Sequence, residues 1–371
     1  MQPFRAAWHY LKHTDLCLML LALACSCYGL LLISSATHAY DTNKFLVVQG
    51  GAVLIGIAVF VLMSLVDLET FIPYWKWVYV ANLIFQASVA VIGSEQGGNR
   101  SWIVLGPISL QPAEIGKILF ICTFAAHLTQ VHDGLNRMKT VMILGVHLLL
   151  TMGIIVVASG DMGSALAYLA ICLVMLFAAG LSLKWFLGGA VFAIASVPFL
   201  WNFLLKSYQK NRILVLLDPS IDPDLAYQTT QGKIAIGAGR LFGAGYLQGN
   251  QTQYGMLPAK HTDFIFAVAG EEFGFVGCCI IIALLACIVL RLFYIAYQGD
   301  TRFSSSVVVG LAGMFLFQLF ENVFMCIGFL PIMGLTLPFF SYGGTSVVTM
   351  YAAIGIAAGV GMREKPSWLK Q

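Results

Sequence analysis

Leu257-Pro-Ala-Lys-His-Thr-Asp-Phe-Ile-Phe-Ala-Val-Ala-Gly-Glu-Glu-Phe-Gly-Phe-Val-Gly277 joins the one long polar segment of the chain to an apolar run that continues to about residue 297. A run of that length can cross a bilayer, which needs about 20 apolar residues. Proline at 258 disfavours an α conformation for Leu257 and favours extended chain ahead of the run. Thr262 or Asp263 can then cap a helix that starts near Phe264. Asp263 therefore falls where water, backbone donors and hydrocarbon meet, with Glu271 and Glu272 two turns further in. Carboxylates so close to a bilayer are costly and usually have a task.

The apolar pattern recurs along all 371 residues, of which 59% are hydrophobic and 10% charged. A soluble protein would carry roughly a quarter charged residues. About ten spans of bilayer length can be drawn, near 16–36, 45–65, 71–93, 112–128, 139–159, 162–180, 184–205, 264–297, 304–330 and 340–362. The fold class is thus all-α, a polytopic membrane protein forming a single transmembrane domain over 1–371. A long extracytoplasmic loop, about 206–263, separates spans seven and eight. The first apolar run is too long for a cleavable signal and is followed by further spans. A net charge of +3 and the lack of a basic, aromatic-interleaved patch give no case for nucleic acid. All nine cysteines lie within apolar runs, without metal-ligand spacing, and read as small membrane hydrophobes.

Orientation follows from basic residues near the spans. With the N-terminus in the cytoplasm, Arg5, Lys12, Arg137, Lys139, Lys184, Arg291, Arg302, Arg363, Lys365 and Lys370 all face inward, and only Lys44 and Arg100 sit in short outer loops. That asymmetry puts both termini inside. It also places four unusual polar segments, 93–111, 159–161, 206–263 and 330–344, on the outer side.

Those segments hold the candidate chemistry. Arg100 beside Trp102 can hold a phosphate or sugar, or can serve as an interfacial anchor pair. Glu114 and Lys117, three apart after Gln111-Pro112, can pair on one helix face for structure or for function. Asp161 suits a helix N-cap, yet with Asp263 it could hold a divalent cation. Arg212, Lys233 and Arg240 belong to a cation excess suited to a pyrophosphate. Gly237-Ala-Gly-Arg-Leu-Phe-Gly-Ala-Gly245 lacks the βαβ context of a nucleotide-binding loop and reads as turns with close backbone packing. Glu321 lies inside the ninth span, with Lys117 as a possible partner. The Pro- and Gly-rich chain from 330 to 346 reads as irregular structure buried against protein or lining a cavity.

Asn99-Arg-Ser-Trp-Ile, Gln111-Pro-Ala-Glu-Ile-Gly-Lys, Asp161-Met-Gly-Ser-Ala, His261-Thr-Asp-Phe-Ile-Phe-Ala with Glu271-Glu-Phe-Gly-Phe, and Leu337-Pro-Phe-Phe-Ser-Tyr-Gly-Gly-Thr-Ser occur in this order. In these motifs, from about 93 to 362, the chain resembles the SEDS family (shape, elongation, division and sporulation) of bacterial cell-wall synthesis. Its length and short N-terminus look more like the elongation members than the division members. The resemblance implies a peptidoglycan glycosyltransferase of the bacterial inner membrane that polymerises lipid II at the outer leaflet. It also implies dependence on a divalent metal cation (Mg or Mn) and a class B penicillin-binding protein as partner. The family's essential acid falls on Asp263, and the motifs add His261 and Ser341 to the candidate substrate contacts. Ser159-Gly160 replace the usual Gln-Pro, Ala113 a serine, and Ala259-Lys260 the usual Glu-Ala.

On this reading Asp263 takes the proton of an acceptor hydroxyl while Arg100, Arg212 and Lys117 or Arg240 receive charge on the departing pyrophosphate. A helix N-terminus would make Asp263 a weak base, so a role as metal ligand stays open. A lipid II flippase is the alternative from another class, and a scaffold that only recruits the partner is a third.

Overall fold

The computed structural model describes residues 14–40, 42–96, 99–105 and 108–362. The terminal cations Arg5, Lys12, Arg363, Lys365 and Lys370 lie outside the described residues.

Long apolar runs become helices because a segment in hydrocarbon must satisfy its own backbone. In order they are α1 (Leu16–Thr37), α2 (Lys44–Leu65), α3 (Trp75–Ala87), α4 (Pro112–Val131), α5 (Met138–Ser159), α6 (Met162–Ala178) and α7 (Leu183–Phe199). After these come α8 (Ser207–Leu214), α9 (Pro223–Ala238), α10 (Asn250–Gln253), α11 (Ile265–Tyr297), α12 (Arg302–Cys326) and α13 (Gly344–Gly361). Eight helical stretches among the described residues are long and apolar enough to cross a membrane. With α4 and the shorter α6 they occupy the ten segments expected.

Two parts differ from expectation. The 206–263 stretch is not an extended loop, since α8, α9 and α10 occupy it and α9 packs on α11 and α12. Asp222 accepts the amide of Leu225 and Pro223 takes the first turn, so α9 carries an ordinary start signal. A small antiparallel sheet, β1 (Ser94–Gln96), β2 (Asn99–Leu105) and β3 (Ile108–Leu110), fills the connection before α4. The β-prone Trp102-Ile-Val104 explains it.

Close helix contacts depend on missing side chains. α2 packs on α13 with Gly355 against the backbone of Phe60, where a Cβ would have no room. By contrast α7 has no buried residue.

Within α11 the helix breaks at Gly274 (φ 68°, ψ −163°). The chain at 239–245 fills the break. Phe275 and Val276 donate to the carbonyls of Arg240 and Leu241, while Ala244 and Gly245 donate to those of Glu271 and Glu272. Irregular backbone at membrane depth is thus paired with protein, as hydrocarbon requires. The glycine-rich run therefore does supply the close packing expected of it.

Candidate active site

The four polar segments meet at one end of the bundle. Thr345, at the start of α13, donates to the carbonyl of Ser109 on β3. Gln111 reaches Asp161 at 3.4 Å, and Tyr208 and Gln209 of α8 both donate to the carbonyl of Gly160.

At the centre, consecutive residues of one turn are held by different elements. Lys260, almost wholly buried, donates to the carbonyl of Thr252 and lies 5.1 Å from the ring of Tyr40. His261 accepts from the amide of Tyr342 at 2.8 Å. Thr262 accepts from the Ser341 hydroxyl at 2.7 Å, and Ser341 in turn accepts from the amide of Leu337. Asp263 accepts through its carbonyl from Asn322 Nδ2 at 3.0 Å, and the same amide group donates to Leu335. The backbone under Asp263 is thereby fixed while its carboxylate is left for other work.

Neither Thr262 nor Asp263 caps α11, contrary to the sequence expectation. The helix begins at Ile265, its N-cap position is Phe264, and no side chain caps it. Thr262 donates instead to Ala259, within a turn that puts Ala259 at φ 47°. Without a cap bond to the helix start, the carboxylate lacks the most direct of the contacts by which a helix terminus would weaken Asp263 as a base. Its carboxyl, deep among protein atoms yet still partly reached by solvent, is pushed up to about 6 by burial, against opposing pulls from Thr262 and Arg212. Gly334 lies beside its carboxylate.

Arg212 on α8 is the cation that bears on Asp263. It lines a cavity of about 90 Å³ with Gly160, Gly163, Tyr208, Ile332 and Met333. Lys233 and Arg240 are exposed, the first against Gly328 and the second at the break in α11, where its carbonyl accepts from Phe275. Arg100 stands on β2 and donates to the carbonyl of Ala90 at 3.2 Å. Trp102 is partly buried in the same sheet, its carbonyl accepting from Ser94. His261 meets Tyr40, Phe45 and Tyr342 ring to ring.

Beneath the turn lies a buried polar layer. Lys117 and Glu114 pair at 2.7 Å with almost no exposure. Lys117 thus bonds Glu114, three residues back on its own helix, rather than Glu321. Glu321 and Gln318 are fully buried with no hydrogen-bond partner for their side-chain atoms. Asp161 does cap α6: its oxygens accept from the amide of Ser164 at 2.9 Å, from the Ser164 hydroxyl at 2.7 Å and from Gln111. Burial raises its carboxyl, opposed chiefly by the Ser164 bonds.

Asp161 is therefore ill placed to share a cation with Asp263, because its lone pairs already have donors. Among the described residues no three His, Cys, Asp or Glu side chains form a metal-holding group. A protein-only cage does not fit. The chemistry of Asp263 fits a hard cation that keeps few protein ligands and is completed by phosphate oxygens.

Glu271 and Glu272, singled out as costly, hold structure together. Glu271 accepts from the amides of Gln251 (2.7 Å) and Thr252 (2.9 Å) and from the Thr252 hydroxyl (2.7 Å). Glu272 accepts from Ser35 and Gln253. In the sequence Asn322 stands out only as the neighbour of Glu321 inside a span, and its two carbonyl partners lie in distant segments.

Fold and site define a polytopic membrane protein with a buried acid on a rigid turn, near a small, largely apolar cavity that holds Arg212 in its wall, at one end of its helices. The chain belongs to the FtsW/RodA/SpoVE family of cell cycle proteins, matched over residues 15–365, which is the SEDS family its motifs resemble. It is 33% identical over 357 residues to the peptidoglycan glycosyltransferase MrdB of Escherichia coli K12, covering 95% of each chain. To the probable peptidoglycan glycosyltransferase FtsW of Geobacter sulfurreducens it is 32% identical, covering 96% of this chain and 97% of that one. Among solved structures it resembles a chain of a peptidoglycan synthase complex that coordinates polymerization and crosslinking, with TM-score 0.80, 31% identity and coverage of 94% and 97%. It also resembles the rod shape determining protein RodA of Thermus thermophilus, with TM-score 0.70, 26% identity and coverage of 95% and 98%.

Proposed function

We propose that the protein is a peptidoglycan glycosyltransferase of the bacterial cell membrane that polymerises lipid II during cell elongation, with Asp263 as general base. Asp263 takes the proton of the acceptor sugar's 4-hydroxyl as that oxygen attacks the anomeric carbon of the lipid-linked donor. The new glycosidic C–O bond forms, the bond from that carbon to the phosphate oxygen breaks with inversion, and undecaprenyl pyrophosphate leaves with the bonding pair. The observation that carries this reading is the contrast at residue 263 itself: a main chain fixed by Asn322 and a side chain whose pKa near 6 suits proton abstraction at neutral pH.

Arg212 is the cation best placed for the leaving pyrophosphate, because its charge already acts on Asp263 from the cavity wall. Lys117, sealed against Glu114, instead supports the layer beneath. The alternative role left open for Asp263, in place of that of base, is as ligand to a divalent ion, Mg²⁺ or Mn²⁺, which would supply Lewis acidity toward the pyrophosphate. The polar end faces the cell exterior, with both termini in the cytoplasm, as the basic residues argue. A class B penicillin-binding protein is the proposed partner, supported by the likeness to a synthase-complex subunit.

The purified protein, with its partner and a divalent cation, is given labelled lipid II. Polymer from the wild type and none from Asp263→Ala supports the assignment, and polymer at normal rate from the alanine variant removes Asp263 from catalysis. Transfer of labelled lipid between leaflets without polymer favours the flippase.

A further inference from the structure

Asp263 is approached from two flanks of different chemistry. α6 and α8, with 331–333, bring the apolar cavity and Arg212. The other flank comes from Tyr40 in the connection between α1 and α2, from Phe45 in the first turn of α2, and from Tyr342. α1 and α2 pack on α11 and α13, whereas α6 packs on α12, α4 and α5, so the flanks belong to separate parts of the bundle.

The second flank is aromatic. Phe45, His261 and Tyr342 lie 5.0, 5.1 and 5.6 Å apart between ring centroids, with mutual tilts of 60–72°. Tyr40 adds a fourth ring, 5.7 Å from Phe45 and 6.1 Å from His261. Tilted rings at these distances form a facetted cup rather than a flat stack. Tyr40 is 47% exposed, so ring surface remains for a ligand. Nor is the cup loose. The buried Lys260 ammonium sits under Tyr40, and the backbone of Tyr342 bonds that of His261, two residues from the catalytic acid.

We infer that Tyr40, Phe45, His261 and Tyr342 form a saccharide platform, on which a pyranose ring of the glycan strand stacks while its neighbour reacts at Asp263. The inference rests on the proposed polymerase reading and adds a subsite to it. Sugar rings carry one face of C–H groups that pack on aromatic faces, which present negative quadrupole density to them. Charge assigns the flanks. A pyrophosphate goes to Arg212, and an uncharged sugar goes to rings that offer no cation of their own, since Lys260 is buried beneath Tyr40 and bonded to Thr252. An interfacial anchor for lipid would also use aromatics here, but an anchor needs only apolar bulk, whereas stacking needs a flat face.

The test uses the full-length protein in detergent or nanodiscs and two readouts. In the first, a soluble β-1,4-linked N-acetylglucosamine tetramer is titrated and contact is read by saturation-transfer NMR. Wild type is expected to show transfer to the sugar C–H protons, weakened by Tyr40→Leu and Phe45→Leu and restored largely by Tyr40→Trp. In the second, lipid II is polymerised and strand lengths are resolved on gels. Each leucine variant is expected to shorten strands by roughly threefold to tenfold, the effect of losing one aromatic stack, with an unchanged melting temperature.

Absence of transfer with the wild type overturns the platform. So does full retention by the leucine variants, or equal loss in Tyr40→Leu and Tyr40→Trp. Failure of the wild type to polymerise would strike the polymerase reading alone, because the tetramer experiment needs no turnover.

Discussion

Asp263 and Glu271 lie two turns apart, and both carboxylates are surrounded by protein, yet they are put to opposite uses. Glu271 receives three donors from α10, two of them backbone amides. A carboxylate so supplied is a fixed counterpart for a helix start, and its reactivity is spent on holding the chain. Asp263 is anchored chiefly through its carbonyl, with only Thr262 bonding its carboxyl, and burial pushes that carboxyl up to about 6. What separates a reactive buried acid from a structural one is where its hydrogen bonds fall, on the main chain or on the carboxylate.

The strongest test of this contrast is Asp263→Asn. With the backbone anchors intact, polymerisation should fall by about 10²–10⁴-fold, the usual worth of a general base, without loss of folding. Measured turnover within tenfold of wild type would break the comparison. Glu271→Ala should do the reverse, costing about 3 kcal/mol in thermal or denaturant unfolding because two buried amides lose their acceptor. A stable but inactive Glu271→Ala would place Glu271 in the chemistry instead.

The raised pKa makes a third, subtler test. The folded state holds a proton on Asp263 up to about pH 6, against 3.8 for the free group. The folded protein therefore binds more protons in that window, and this group's contribution to stability is fullest below it and declines as pH rises through it. Asp263→Asn should be more stable than wild type at pH 8, by on the order of 2 kcal/mol once partial solvent contact is allowed for, and equal to it below about pH 4. Polymerisation should show an acid limb centred near pH 6, because the base must be ionised.

Ser341→Ala removes a donor from Thr262 and an acceptor from Leu337, which should cost about 1–2 kcal/mol and slow turnover by loosening the turn. Arg212→Gln should move the acid limb upward, since the lost cation no longer favours the carboxylate. A downward shift would separate Arg212 from the site.

Much of this was legible in the chain. Apolar length alone located the spans, because hydrocarbon accepts few backbone solutions. Asp161 read as a cap and is one, and the motif residues converge on one end. The missed features depend on tertiary context. α9 announced itself through Asp222-Pro223, but its polar, glycine-containing sequence looked like loop. Lys117 could meet Glu114 or Glu321 by helical spacing and depth, and only packing chose the first. Local sequence offered Thr262 and Asp263 as caps, yet the turn at Ala259 redirects Thr262 and delivers Asp263 to the cavity side. Asn322 is silent in the sequence because its partners, the carbonyls of Asp263 and Leu335, belong to distant segments.

The break at Gly274 also has a meaning for biogenesis. The residues that mend it, 239–245, leave the ribosome before the helix they mend. When the second half of α11 is synthesised, the partners for the amides and carbonyls at its interruption already exist in the chain. Order of synthesis thus solves a solvation problem that the finished sequence, viewed all at once, would seem to pose.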